Sequence, residues 1–173
     1  MSGAAPDAFK SGLSNFAAYP YAAAPTAPAT TGRISLTAAP DLCADNDFAS
    51  TQDGNKIQIA GCNGTAAQNF DVQADGSLRI QGKCVNAANA DTANLTLLEL
   101  STCSGAPAQK FLPRADGSIY NPVSGRCMDL GNFDTTPGRQ LWLYDCNPSN
   151  AQRWTIMTLG TAPLPLPSLD ATP

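Results

Sequence analysis

The chain has 173 residues, of which 10 are Lys or Arg, 14 are Asp or Glu and none is His, giving a formal net charge of -4. That mild acidity argues against a nucleic-acid partner, which requires a basic face. With no histidine and a single glutamate, Glu99, acid–base catalysis would fall to aspartates, and no nucleophile stands beside a base. No stretch approaches the ~18 apolar residues of a membrane-spanning helix.

In chain order, residues 1–32 read as an Ala- and Pro-rich arm or linker, extended from Ala22 to Thr31. Within it Asp7 is placed to cap a short helix, with Phe9, Leu13 and Phe16 on one stripe and Tyr19 and Tyr21 beyond. Such a segment either docks on this domain or a neighbouring copy or remains a linker with scattered aromatics. Met1–Tyr21 has no basic n-region and no apolar run leading to a small-residue cleavage site. The expectation is therefore a chain renumbered from a new Met1 or exported as part of something larger.

Residues 33–160 are expected to form one domain, long enough to bury one core. It is written three times, in repeats of about 33–75, 76–116 and 117–160. Each copy contains Cys, a polar turn and Ala-Gln-x-aromatic, beginning at Cys62, Cys103 and Cys146, so the periods are 103 − 62 = 41 and 146 − 103 = 43. Ile57–Ile59, Leu95–Leu98 and Leu141–Tyr144 occupy equivalent places and read as strands. Asp75-Gly76 and Asp116-Gly117 each lie between two strands, a hairpin signal. Leu159-Gly160-Thr161 stands at the third hairpin position, and Thr31–Ile34 supplies the matching beginning, so the first and last strands should meet. The expectation is an all-β barrel of pseudo-threefold symmetry, closed so that no sheet edge is exposed. The Pro-rich tail at 161–173 cannot enter a sheet.

Cys43, Cys84 and Cys127 each precede the repeat cysteine by 19 positions. Six cysteines allow 15 pairings; the repeating spacing favours Cys43–Cys62, Cys84–Cys103 and Cys127–Cys146, against free buried thiols as the alternative. Zinc is disfavoured without histidine or Cys-x-x-Cys, and Asp41, Asp45 and Asp47 lack the spacing and glycine of a calcium loop. No metal and no cofactor is expected. Disulfides require an oxidising compartment, so the chain is expected to be extracellular or secreted.

Three Gln-x-aromatic motifs, three equally spaced cysteine pairs and a period near forty together resemble the ricin B-chain lectins and the family 13 carbohydrate-binding modules, over about residues 33–158. The resemblance implies a β-trefoil in which Phe70, Phe111 and Trp154 lie in the core and Gln68, Gln109 and Gln152 are buried hydrogen-bonding posts. It also implies a sugar site with a carboxylate two places after the first cysteine and an aromatic platform two places before the second. In the third repeat these are Asp129 and Tyr144, with Trp142 and Asn147 beside them and Gln152 behind. The residue before the motif Gln, often Asn in the family, is Ala151 here, so that either Asn150 substitutes or one hydrogen bond is lost. The first repeat is the weaker candidate, with Asp45, Gln58, Asn63 and Gln68 but Ala60 at the platform position. The second, with Asn86, Glu99, Ser101 and Ser104, has neither Asp nor aromatic and is expected to be silent. Asn63-Gly64-Thr65 and Asn94-Leu95-Thr96 are candidate N-glycosylation sequons.

Two functions follow from this reading. One is non-catalytic binding of galactose- or xylose-type glycans or polysaccharide, mainly through the third repeat. The other is a structural or assembly protein in which the trefoil is the body and residues 1–31 contact another subunit or an upstream catalytic domain.

Overall fold

The computed structural model describes residues 30–158. In the first repeat the strands are β1 (Thr30–Leu36), β2 (Ala39–Asn46), β3 (Ile57–Gly61) and β4 (Phe70–Val72). The second holds β5 (Leu78–Ile80), β6 (Lys83–Ala87), β7 (Leu98–Ser101) and β8 (Leu112–Pro113); the third holds β9 (Ile119–Asn121), β10 (Arg126–Asp129), β11 (Trp142–Asp145) and β12 (Trp154–Thr158). Among the described residues the helical segments are short 3-10 turns. The expected features at Asp7, Phe9, Leu13, Phe16, Tyr19, Tyr21 and Leu159–Thr161, and the tail, lie outside the described residues.

The chain closes where the sequence places its ends together. β1 pairs antiparallel with β12, from Gly32 opposite Thr158 to Leu36 opposite Trp154. A Cβ at Gly32 would fall 2.0 Å from the Met157 carbonyl oxygen, so glycine is what permits this approach. The closure draws Thr30–Gly32 into the barrel, although composition alone assigns them to the arm. The Asp-Gly turns form as expected: the Asp75 carboxylate accepts from the Ser77 N–H at 2.8 Å, Asp116 does the same for Ser118 at 2.9 Å, and Gly76 and Gly117 take φ of 85° and 88°.

The strand expected at Leu95–Leu98 begins instead at Leu98. The Ala93 carbonyl accepts from the Thr96 hydroxyl at 2.8 Å, which folds the intervening residues into a turn. Leu95 there takes φ 73°.

The hairpins β2–β3, β6–β7 and β10–β11 meet in a triangle. Its sides are the bridges Lys56–Glu99, Leu97–Trp142 and Gln140–Gln58, which are equivalent under the repeat periods. A loop from each repeat also pins the next hairpin with two backbone bonds. Gly54 N–H donates to the Leu100 carbonyl (2.7 Å), Leu95 N–H to Leu143 (2.8 Å) and Gly138 N–H to Ile59 (2.7 Å), and each accepting residue returns a bond to the residue after its donor. The threefold arrangement is thus a hydrogen-bonded ring.

Phe70 and Phe111 are fully buried and Trp154 is nearly so, within one cluster that also takes Leu36, Ile59 and Leu143. The indole N–H of Trp154 is satisfied by the Met128 carbonyl at 3.1 Å. Removing such an aromatic would cost about 3–5 kcal/mol. The six cysteines pair as Cys43–Cys62, Cys84–Cys103 and Cys127–Cys146, and none is free. The result is a β-trefoil whose hairpin triangle presents one outward strand face per repeat.

Candidate functional site

Strand alternation builds the third-repeat site. β10 and β11 pair with Cys127 opposite Tyr144 and Asp129 opposite Trp142. Side chains two apart share a face, so Asp129, Trp142 and Tyr144 point one way while Met128 and Leu143 fill the core behind them. The face opens on a pocket of about 580 Å³. Phe133, from the turn after β10, and Leu95, from the second repeat, complete its apolar wall.

At its base Asp129 is 5% exposed and doubly held. One carboxylate oxygen accepts from Trp142 Nε1 at 2.7 Å and the other from Gln152 Nε2 at 2.9 Å. Burial pushes the Asp129 carboxyl above the usual carboxylate range, against the lowering effect of the Gln152 and Trp142 bonds. The Trp142 ring lies so close to Gly131 that a Cβ there would be 2.2 Å from Cζ2. The Arg139 guanidinium lies 5.6 Å from that ring's centroid. Tyr144 is 39% exposed.

Of the residues expected at this site, Asp129, Trp142, Tyr144 and Asn147 line the pocket. Gln152 stands behind, fully buried; its Nε2 also donates to the Asp145 carbonyl (3.0 Å) and its Oε1 accepts from the Asn147 N–H (2.8 Å). Asn150 is brought elsewhere. It is exposed at the start of the turn Asn150–Gln152, and Ser149 and Ala151 form the wall instead. The Asn147 amide is committed to its own turn, donating to the Asp145 carbonyl at 3.0 Å and accepting from the Ser149 N–H at 3.0 Å.

Sequence reasoning missed Leu95, Gly131, Asn132, Phe133 and Ser149. An aromatic in a polar turn was a visible signal for Phe133. Leu95 belongs to the preceding repeat, and a reading confined to one repeat could not reach it.

The first repeat repeats the motif with different chemistry. Asp45 stands opposite Gln58; its carboxylate accepts from Gln58 Nε2 at 3.0 Å and from Gln68 Nε2 at 2.9 Å. The pocket is about 590 Å³ and is lined by Asp45, Gln58, Ala60 and Asn63, while Gln68 is buried behind. Ala60 holds the platform position as expected from the sequence, and Phe48, 94% exposed, borders the pocket from the turn after β2. The buried Gln58 Oε1 has no hydrogen-bond partner among the described residues.

In the second repeat Asn86 Nδ2 donates to Glu99 Oε1 at 3.2 Å and the Ser104 hydroxyl to Gln109 Oε1 at 3.3 Å, so these groups satisfy one another. Of the sequon residues, Asn63 accepts from the Thr65 hydroxyl at 2.8 Å. Asn94 ties repeats together, donating to Asp145 Oδ2 at 3.1 Å and accepting from Arg126 Nε at 2.6 Å.

The family model for the ricin-type beta-trefoil lectin domain matches residues 30–154. Serine protease 1 of Rarobacter faecitabidus is 40% identical over 112 residues, 65% of this chain and 21% of that protein. The chain thus matches about a fifth of that relative's length. Among solved structures, the agglutinin from Abrus precatorius superposes with a TM-score of 0.67 at 23% identity, covering 74% of this chain and 48% of that one. The designed threefold-symmetric protein ThreeFoil gives 0.66 at 22% identity, covering 75% and 99%. At such identities these two likenesses concern the fold.

Proposed function

The chain belongs to the ricin-type beta-trefoil lectin domain family, and from that premise we propose that it is a non-catalytic carbohydrate-binding module whose principal site is the third-repeat pocket. The observation that carries this reading is the Asp129 carboxylate, held by Trp142 and Gln152 at the base of a pocket bordered by the exposed ring of Tyr144. A carboxylate offers about four acceptor sites and two are used, so it can accept from vicinal sugar hydroxyls. The aromatic ring covers the apolar C–H side of a pyranose. Burial at the pocket base strengthens these bonds relative to water. The ligands are galactose- or xylose-type glycans, and the first-repeat pocket with Asp45, Gln58 and Phe48 is a second, weaker site.

One open pocket binds a monosaccharide with an affinity on the order of millimolar, so a second site on the same body raises avidity on a polymer. A module that matches a fifth of a protease-named relative fits attachment to a catalytic partner, with residues 1–29 as the connection. The three disulfides fit an extracellular setting.

Titration of the full chain with galactosides, xylosides and xylan, followed by tryptophan fluorescence, tests the reading. Saturable quenching or enhancement that Asp129→Ala abolishes is the expected result; no response to any of these glycans refutes it. The assembly alternative predicts that size-exclusion profiles differ between the full chain and one lacking residues 1–29, and two identical monomer profiles remove it.

A further inference from the structure

Leu95 occupies a place where both pseudo-symmetric counterparts are glycine. Positions 54, 95 and 138 are related by the repeat periods, and Gly54, Leu95 and Gly138 have φ of 88°, 73° and 93°. Each donates its backbone N–H into the hairpin of the next repeat. The ring of inter-repeat bonds therefore imposes a left-handed backbone at all three positions. Glycine adopts it freely, whereas a leucine Cβ crowds the adjacent carbonyl. The Leu95 side chain is also 54% exposed, so core burial does not offset that strain.

The strained residue borders a site. Leu95 lines the third-repeat pocket beside Phe133 and Tyr144, while the equivalent place in the first-repeat pocket is Gly138. A non-glycine residue held left-handed at a binding wall is an outlier of the kind that accompanies function. These three side chains present an aliphatic chain and two rings, while Asn132, Asn147 and Ser149 line the pocket as well. Leu95, Phe133 and Tyr144 complement an apolar group projecting from a sugar ring, where further hydroxyls would lose hydrogen bonds to water without replacement.

We infer that Leu95, lent by the second repeat, is a specificity-determining residue of the third-repeat site and selects glycosides that carry an apolar aglycone or substituent. The inference rests on the reading of that pocket as a glycan site, and the experiment separates the two. Methyl and phenyl glycosides of galactose and xylose are titrated against the full chain. The wild-type chain binds the phenyl form about fivefold more tightly. Leu95→Ala retains the backbone conformation but shortens the side chain, so its ratio of phenyl to methyl affinity falls to about one. Leu95→Gly behaves alike in binding and raises the melting temperature by about 2 °C, because the strain is relieved.

Equal affinities of the wild-type chain for the two forms, or a phenyl preference that survives in Leu95→Ala, overturns the role of Leu95 while leaving the glycan site standing. Binding of neither form to the wild-type chain overturns the site itself and the inference with it. A lower melting temperature for Leu95→Gly refutes the strain argument.

Discussion

Gly131→Ala is a one-methyl change that should reach both stability and binding. The added Cβ would lie 2.2 Å from Trp142 Cζ2, 2.6 Å from Cη2 and 2.8 Å from Cε2, all far inside contact distance. The indole cannot tilt away freely, because its Nε1 is held by Asp129 at 2.7 Å. Overpacking of this kind costs about 1–3 kcal/mol, and a bond to a buried carboxylate adds about 1.5–3 kcal/mol when it is lost. A total of about 3 kcal/mol corresponds to a melting temperature lower by about 10 °C in a domain of this size. Thermal unfolding with the disulfides intact, followed by tryptophan fluorescence, measures the shift and also the altered environment of Trp142. Gly61→Ala is the internal control, since a Cβ there meets nothing within 4 Å. Glycan affinity should fall in the first variant and hold in the second. An unchanged melting temperature and emission spectrum for Gly131→Ala would refute the packing argument.

Three further outcomes follow from particular bonds. Gln152→Ala removes three hydrogen bonds behind Asp129 and should cost about 3 kcal/mol in chemical denaturation; Gln109→Ala should cost less, because no carboxylate accepts from Gln109 among the described residues. Replacing Cys127 and Cys146 together opens a loop of sequence separation 19 and should lower stability by about 3 kcal/mol, read from the denaturation midpoint. Lowering the pH should weaken glycan binding with a midpoint above the ordinary Asp value, because burial raises the Asp129 pKa and protonation removes its acceptor charge.

Stability responds to the same pH change with two signs. Asp129 has a raised folded pKa, so its protonation relieves a buried charge and favours folding as pH falls through that value. Asp75 is held to about 2 by the Ser77 hydroxyl and N–H, so its contribution is present above the unfolded value of about 3.9 and is lost as pH falls towards 2. A melting-temperature series at constant ionic strength separates the two.

Most of the fold was legible because it is written three times. The Asp-Gly turns, the spacing of 19 between paired cysteines and the Gln-x-aromatic motif are local patterns, and local patterns repeat in register when each copy builds the same unit. Burial of Phe70, Phe111 and Trp154 follows from such patterns as well. The site was legible in part. Asp129, Trp142 and Tyr144 share a strand face by alternation alone, whereas Asn150 lies exposed at the start of a 3-10 turn and Ser149 and Ala151 line the pocket there.

By itself, then, the amino-acid order determined the trefoil, its staples and the hairpin that carries Asp129, Trp142 and Tyr144. Tertiary structure decided how those residues are completed: Leu95 reaches the third pocket from another repeat, Phe48 returns an aromatic to the first, and Gly131 makes room for Trp142. The physical reason is that strand periodicity fixes which face a side chain takes, but contacts between turns and neighbouring repeats depend on how three units close into a ring. Those contacts are non-local, and no single repeat contains them.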